Sequence, residues 1–311
     1  MNNQEIIKKL YKNTETDVNV LQDPEIAHLV VDHNTVLGSQ LVPGLHVDVK
    51  ELEDGIDAHI TVDEGTTIGK RVHLCFGMLA ETGVQRILMN ITIEKNAKIS
   101  VLAHCVFPNA VDLKHIMDAE ITVKEGAEYT YFERHIHGPK GGIEVYPKAV
   151  VHLGEKSRFK TEFELVRGRV GLIDIDYETT CERESILEMT ARINGTGDDV
   201  IKVKETGHLI GEGARGALIT KIALRDVTKA EIYNKLTASA AYARGHVDCK
   251  EIVQDQAVAV AIPIVEVNHP KAHITHEAAI GSVDSKQLQT LMSRGLTEDE
   301  AVELIIEGLL E

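Results

Sequence analysis

Ile60-Thr61-Val62-Asp63-Glu64-Gly65-Thr66-Thr67-Ile68, Ile91-Thr92-Ile93-Glu94-Lys95-Asn96-Ala97-Lys98-Ile99 and Ile121-Thr122-Val123-Lys124-Glu125-Gly126-Ala127-Glu128-Tyr129 are versions of one phrase. Each reads as a strand, then a Gly or Asn that tolerates positive φ, then a second strand. The copies start 31 and 30 residues apart, and a fainter fourth, Val150-Val151-His152-Leu153-Gly154-Glu155, starts 29 further on. Apolar residues alternate along each copy, so one face of each strand is buried. Strands recurring at a fixed period and joined by tight turns predict a solenoid. The expected fold is mainly β: a right-handed parallel β-helix over residues 51–282. The alternative is a β-sandwich whose spacing is coincidental.

The ends read differently. Residues 1–50 form an N-terminal region with a short helix, in which Ile6, Ile7 and Leu10 share a face of Asn3 to Lys12. Residues 283–311 read as a helical hairpin. Asp284 or Ser285 caps a helix running to Arg294, Gly295 stops it, and Thr297 with Glu300 forms a capping box for the next. The apolar faces of this hairpin need a partner, either the open end of the solenoid or another protein.

Composition narrows the function classes. A formal net charge of −16 repels phosphate backbones, so no nucleic-acid partner is expected. No apolar run approaches the roughly 20 residues of a membrane span, and Met1 to Leu10 carries no signal-peptide pattern. Four scattered cysteines fit a reducing compartment, hence the cytoplasm. With no Trp, the core must be filled by Val, Ile, Leu and Ala. No Walker-type phosphate loop is present, so ATP hydrolysis is not expected of this chain.

The repeat gives the cysteines a geometry that their spacing alone does not. Cys75 and Cys105 lie one period apart, and His135 one period further. A column on neighbouring rungs follows, unless a one-residue slip turns a side chain to the other face. The competing reading is that cysteines are small core residues. A second concentration of donors comprises Asp248, Cys249, Glu251, His273, His276 and Glu277. In an extended strand His273 and His276 face opposite ways.

His276-Glu277-Ala278-Ala279-Ile280-Gly281, with Gln287-Leu288, Ser293-Arg294-Gly295-Leu296, Glu300-Ala301 and Ile305-Ile306-Glu307-Gly308, resembles the C-terminal signature of the SufB/SufD family. Gly245 to Cys249, Ile262 to Val267, Glu81 to Arg86 and Leu102 to Cys105 extend the resemblance over roughly residues 80–311. The chain looks like a short, archaeal-type member without the long N-terminal region of bacterial ones. The resemblance implies a non-enzymatic scaffold that assembles iron–sulfur clusters. It implies a SufC-type ABC ATPase bound through the C-terminal helices, with Leu288, Leu291, Arg294, Leu304 and Ile305 as candidate contacts. It implies pairing with a second copy or a paralogue through the β-helix, and a transient cluster, expected as the four-iron form, built at that interface from iron and persulfide sulfur.

By position, Cys105 falls at the family's sulfur-accepting cysteine, with Cys75 its candidate neighbour in sulfur transfer. His276 falls at an interface histidine and Glu277 at the adjacent acidic position. Two departures stand out. The further cysteine of SufB-type proteins is missing from Gln256-Ala257-Val258-Ala259, and a family glutamate is replaced by Gln85. Cys249, His276, Glu277 and His273 are therefore the candidate cluster ligands, with Cys249 the first choice of thiolate. A SufD-like chain supplying only histidine and carboxylate ligands is the variant reading. Carbohydrate-active enzymes also use such solenoids, but seven Tyr, five Phe and no Trp make a poor sugar platform. A purely structural ATPase partner without metal is the third possibility.

Overall fold

The computed structural model describes residues 2–12, 14 and 16–310. Their strands form a β-solenoid of about eight turns, built from a ten-stranded and a nine-stranded sheet. From Gly55–Val62 onward consecutive strands alternate between the sheets, and each pairs in parallel with the one two further along the chain. That stacking excludes the sandwich. Antiparallel pairing is confined to the start, where Thr35–Gln40 lies against His28–Asp32 and Leu45–Glu51 against Gly55–Val62. The first fifty residues thus contribute three strands to the sheets as well as their helix.

The repeat sets the register. Ile60 stacks on Ile91, and Ile91 on Ile121. The next residue in this column is Val151, not Val150. Val150 stacks on Glu120 and is 48% exposed, because a shift of one residue reverses the face. The fourth copy therefore starts one residue later than the sequence reading placed it. Its left-handed turn position is Lys156 (φ 57°), in line with Gly65 (69°), Asn96 (56°) and Gly126 (68°). Each of these N–H groups donates to a carbonyl of the next turn at 2.8–3.0 Å, so the corners stack as the strands do.

Helix α1 (Asn3–Tyr11) opens with a reciprocal capping box between Asn2 and Glu5. Its Leu10 and Tyr11 cover Val30, Cys75 and Val106 on the outside of the ten-stranded sheet. Helix α2 (Ser285–Met292) starts at Asp284, whose carboxylate accepts from the Gln287 N–H at 2.7 Å. Gly295 adopts φ 100°, and Glu300 accepts from the Thr297 N–H at 2.8 Å to open helix α3 (Glu298–Leu310). Ile306 and Leu310 of α3 pack on Ala223 and Ile252, and Arg225 pairs with Glu303 at 2.5 Å. The hairpin therefore lies along the outer flank of the solenoid. Ala223 and Ile252 are apolar at outward-facing positions, and this patch receives α3. The open end stays uncovered among the described residues: Val258–Val267 and His273–Gly281 each end a sheet.

The register makes a sharp distinction between adjacent valines. Val151→Ala is expected to cost about 2–3 kcal/mol, and Val150→Ala less than about 0.5 kcal/mol, by thermal or urea unfolding.

Candidate functional site

Parity along the strands places the chemistry. In Lys98–Phe107 the odd residues point into the lumen, and in Glu128–His137 Glu133, His135 and His137 do the same. Cys105 stacks on His135, as the repeat implied. Ligand atoms of Cys105, Glu133 and His135 all lie within 4.8 Å of one another, and the three residues are at most 2% exposed. His135 Nε2 is 2.7 Å from Glu133 Oε1, and His135 Nδ1 is 3.2 Å from His137 Nε2. His137 Nδ1 in turn lies 3.2 Å from the Arg169 carbonyl. Phe163 and Phe107 wall the group, with ring centroids 4.7 Å from His135 and 4.8 Å from His115.

Cys75 does not join this column. Here the register is one residue short of the 30-residue period, so Cys75 stacks on His104 and Phe76 on Cys105. The slip turns Cys75 outward beneath α1, where burial, then the nearby Asp32, raises its thiol pKa well above the usual value.

Burial dominates the electrostatics of the interior. It pushes Glu133 up to about 7, and holds His115 and His135 down near 3. The Cys105 thiol rises well above its ordinary value through burial, then through Glu133. The charged forms are disfavoured because the lumen offers little polar solvation.

A polar path continues toward the other end. On one wall Glu133, Phe163, Ala191, Thr220 and Cys249 stack in one column. On the facing wall the column is Tyr177, Glu205 and Asn234. The Tyr177 hydroxyl donates to Glu133 at 3.5 Å, and the Asn234 amide donates to Thr220 Oγ1 at 2.7 Å and to Cys249 Sγ at 3.7 Å. Cys249 is fully buried, and its thiol is pushed up to about 12 by burial, then by Glu251.

Of the remaining predicted residues, His276 shares the inner face of the last rung. It stacks on Val247, while Ala278 stacks on Cys249. Cys249 and His276 are thus diagonal neighbours on one face. His273 and Glu277 lie on the outer face of the same strand, stacked on Arg244 and Asp248. All three last-strand residues are exposed. Among the predicted helical contacts, Leu288, Leu291 and Ile305 are half-buried, and Arg294 and Leu304 are exposed.

Gln85 now has a physical account. Its buried amide donates to the carbonyls of His33 and Gly77, both at 2.9 Å, which an ionised glutamate could not do. Glu133, His137, His115, Glu205, Thr220 and Asn234 escaped the sequence reading. Glu133-Arg134-His135-Ile136-His137 carried the signal: three ionisable residues at period two, on the face that alternation assigns to the core.

The solenoid thus holds a sealed Cys/Glu/His group in its interior, and at its open end an exposed His276 on the last strand with the buried Cys249 on the strand beneath it. Residues 79–309 match the family described as "SUF system FeS cluster assembly, SufBD core domain". An iron–sulfur cluster assembly SufBD family protein of Methanocaldococcus jannaschii is 41% identical over 77% of this chain and 76% of its own. One from Pyrococcus horikoshii is 32% identical over 98% of this chain and 93% of its own. The chain belongs to the SufBD family, and its role lies in iron–sulfur cluster assembly. Among the described residues no helix is long and apolar enough to cross a membrane.

Burial pushes Glu205 up to about 8, from an unfolded value near 4.5. The folded chain holds this proton more tightly, so its contribution to stability is full below about pH 4.5 and is lost as pH rises to about 8. Glu205→Gln is expected to flatten that part of the stability–pH curve and to raise stability at pH 8 by on the order of a few kcal/mol, read by urea unfolding.

Proposed function

We propose that this chain is a cytoplasmic assembly scaffold that works as a homodimer with a SufC-type ABC ATPase. Its cargo is a transient iron–sulfur cluster built at the dimer interface from iron and persulfide sulfur, each sulfane sulfur being reduced to sulfide by an external two-electron donor. The observation that carries this reading is the open terminal rung. There a free sheet edge, exposed Val258, Val260, Ile262 and Ile280, and the pair Cys249 and His276 occupy one end of the molecule. A long apolar edge strand is a template for pairing, and here it is interrupted only by Pro263 and Glu266 within Val258–Val267. A second copy meeting this edge would place two such Cys/His pairs across one seam.

In this reading Cys105 receives sulfur, Cys249 supplies thiolate and His276 the imidazole. Glu277 and His273, on the outer face, line the seam beside the cluster. Mixed ligation of this kind holds a cluster less firmly than four thiolates and suits a scaffold that must release it. Cys249 lies under Ala278, so the last strand must shift for it to bind cargo. The ATPase, seated on the flank where α2 and α3 expose Leu304, Arg294 and Met292, supplies that movement.

Anaerobic reconstitution with the partner ATPase, followed by absorption and Mössbauer spectra, tests the reading. Cys249→Ala should abolish the cluster while the dimer persists, and full reconstitution in that variant would refute its role. Leu304→Asp is expected to weaken ATPase binding about ten- to a hundredfold, the value of one buried leucine side chain, in a pull-down or calorimetric titration.

A further inference from the structure

We propose that Cys105, Glu133 and His135 hold a single divalent transition-metal ion, iron(II) or zinc(II), inside the solenoid. The three donors are one sulfur, one oxygen and one nitrogen, all within 4.8 Å of one another before any ion is present. An ion bonded at about 2.0–2.3 Å needs its donors no more than about 4.5 Å apart, so side-chain rotation suffices to close the site. The donor set is of mixed softness, which suits iron(II) and zinc(II) better than magnesium or calcium.

A second observation points the same way. His115 is 1% exposed, and neither ring nitrogen has a hydrogen-bond partner. Its ring lies edge-on to His135 with centroids 5.9 Å apart, an unpartnered polar side chain buried beside the three donors. The outer contacts also fix the ligand tautomer. His135 Nδ1 faces His137 Nε2, and His137 Nδ1 faces a carbonyl. A proton on each Nδ1 satisfies that chain and leaves His135 Nε2 as a lone pair turned toward Glu133, the arrangement of a metal-bound imidazole.

A divalent ion held by a thiolate, a carboxylate and a neutral imidazole leaves no net charge in the lumen. Whatever protons the thiol and carboxyl carry leave for solvent as the bonds to the ion form, and nothing is oxidised or reduced. Tyr131, Tyr177, His115 and His137 are the other titratable groups facing the site.

The inference gives the assembly reading an interior metal, but stands on this geometry alone. Anaerobic equilibration of the intact chain with cobalt(II) tests it. One cobalt per chain is expected, with thiolate-to-cobalt charge transfer in the near ultraviolet and visible d–d bands. Cys105→Ser should lose the charge-transfer band, and Glu133→Gln and His135→Gln should each lose at least tenfold in affinity while Cys249→Ser keeps both. If Cys105→Ser fails to fold by circular dichroism, the other two variants decide. Cobalt bound without a thiolate band, or a band that survives Cys105→Ser or vanishes in Cys249→Ser, overturns the proposal and leaves cluster reconstitution at Cys249 untouched. Metal analysis of the anaerobically purified chain separates iron from zinc.

Discussion

Parallel backbone hydrogen bonding from each rung to the next is the constraint on which everything else in this molecule rests. It fixes which residue lies above which, and strand alternation then decides whether a side chain enters the lumen or meets water. The outer faces obey the same register. Lys95–Glu125, Lys98–Glu128, Lys114–Glu144 and Arg192–Glu162 each join residues one rung apart, at 2.5–3.0 Å. Exposed pairs of this kind are worth at most about 1 kcal/mol each. Their larger effect is on specificity, since a slipped strand would lose the pairing and reverse every inward side chain.

Within that frame the lumen is costlier than folding requires. Glu133, Glu205 and Glu251 are all buried, with carboxyls raised into or beyond the neutral range by desolvation. Both carboxylate oxygens of Glu251, one of Glu205 and both nitrogens of His115 lack partners. Each such group costs about 1–3 kcal/mol, and apolar residues of similar size would fill the same space without that penalty. These departures from the local rules fall in one contiguous region of the lumen, from Cys105 to Cys249.

The two ends of the solenoid divide the remaining labour. Antiparallel strands and α1 close the first turns, and α1 seals the outer face at Cys75 and His104. The last turn keeps its edge and part of its apolar interior open. Because α3 lies on the flank at Ala223 and Ile252, the helices leave that edge available.

Much of this was legible in the sequence because it depends on local chemistry. The phrase repeated at Ile60, Ile91 and Ile121 determined strands, corners and stacking, since alternation and positive-φ turns are properties of a few adjacent residues. Asp284, Gly295 and Thr297 marked the ends of the C-terminal helices for the same reason, and the segment around His276 marked the family. Register was decided only in three dimensions, because the repeat length varies by one residue and one residue is the whole difference between lumen and solvent. That is why Cys105 meets His135 while Cys75 faces α1, and why His276 shares a face with Cys249 while Glu277 does not. The grouping of Glu133, His135 and His115 likewise depends on which walls of the solenoid face each other across the lumen, which no single strand records.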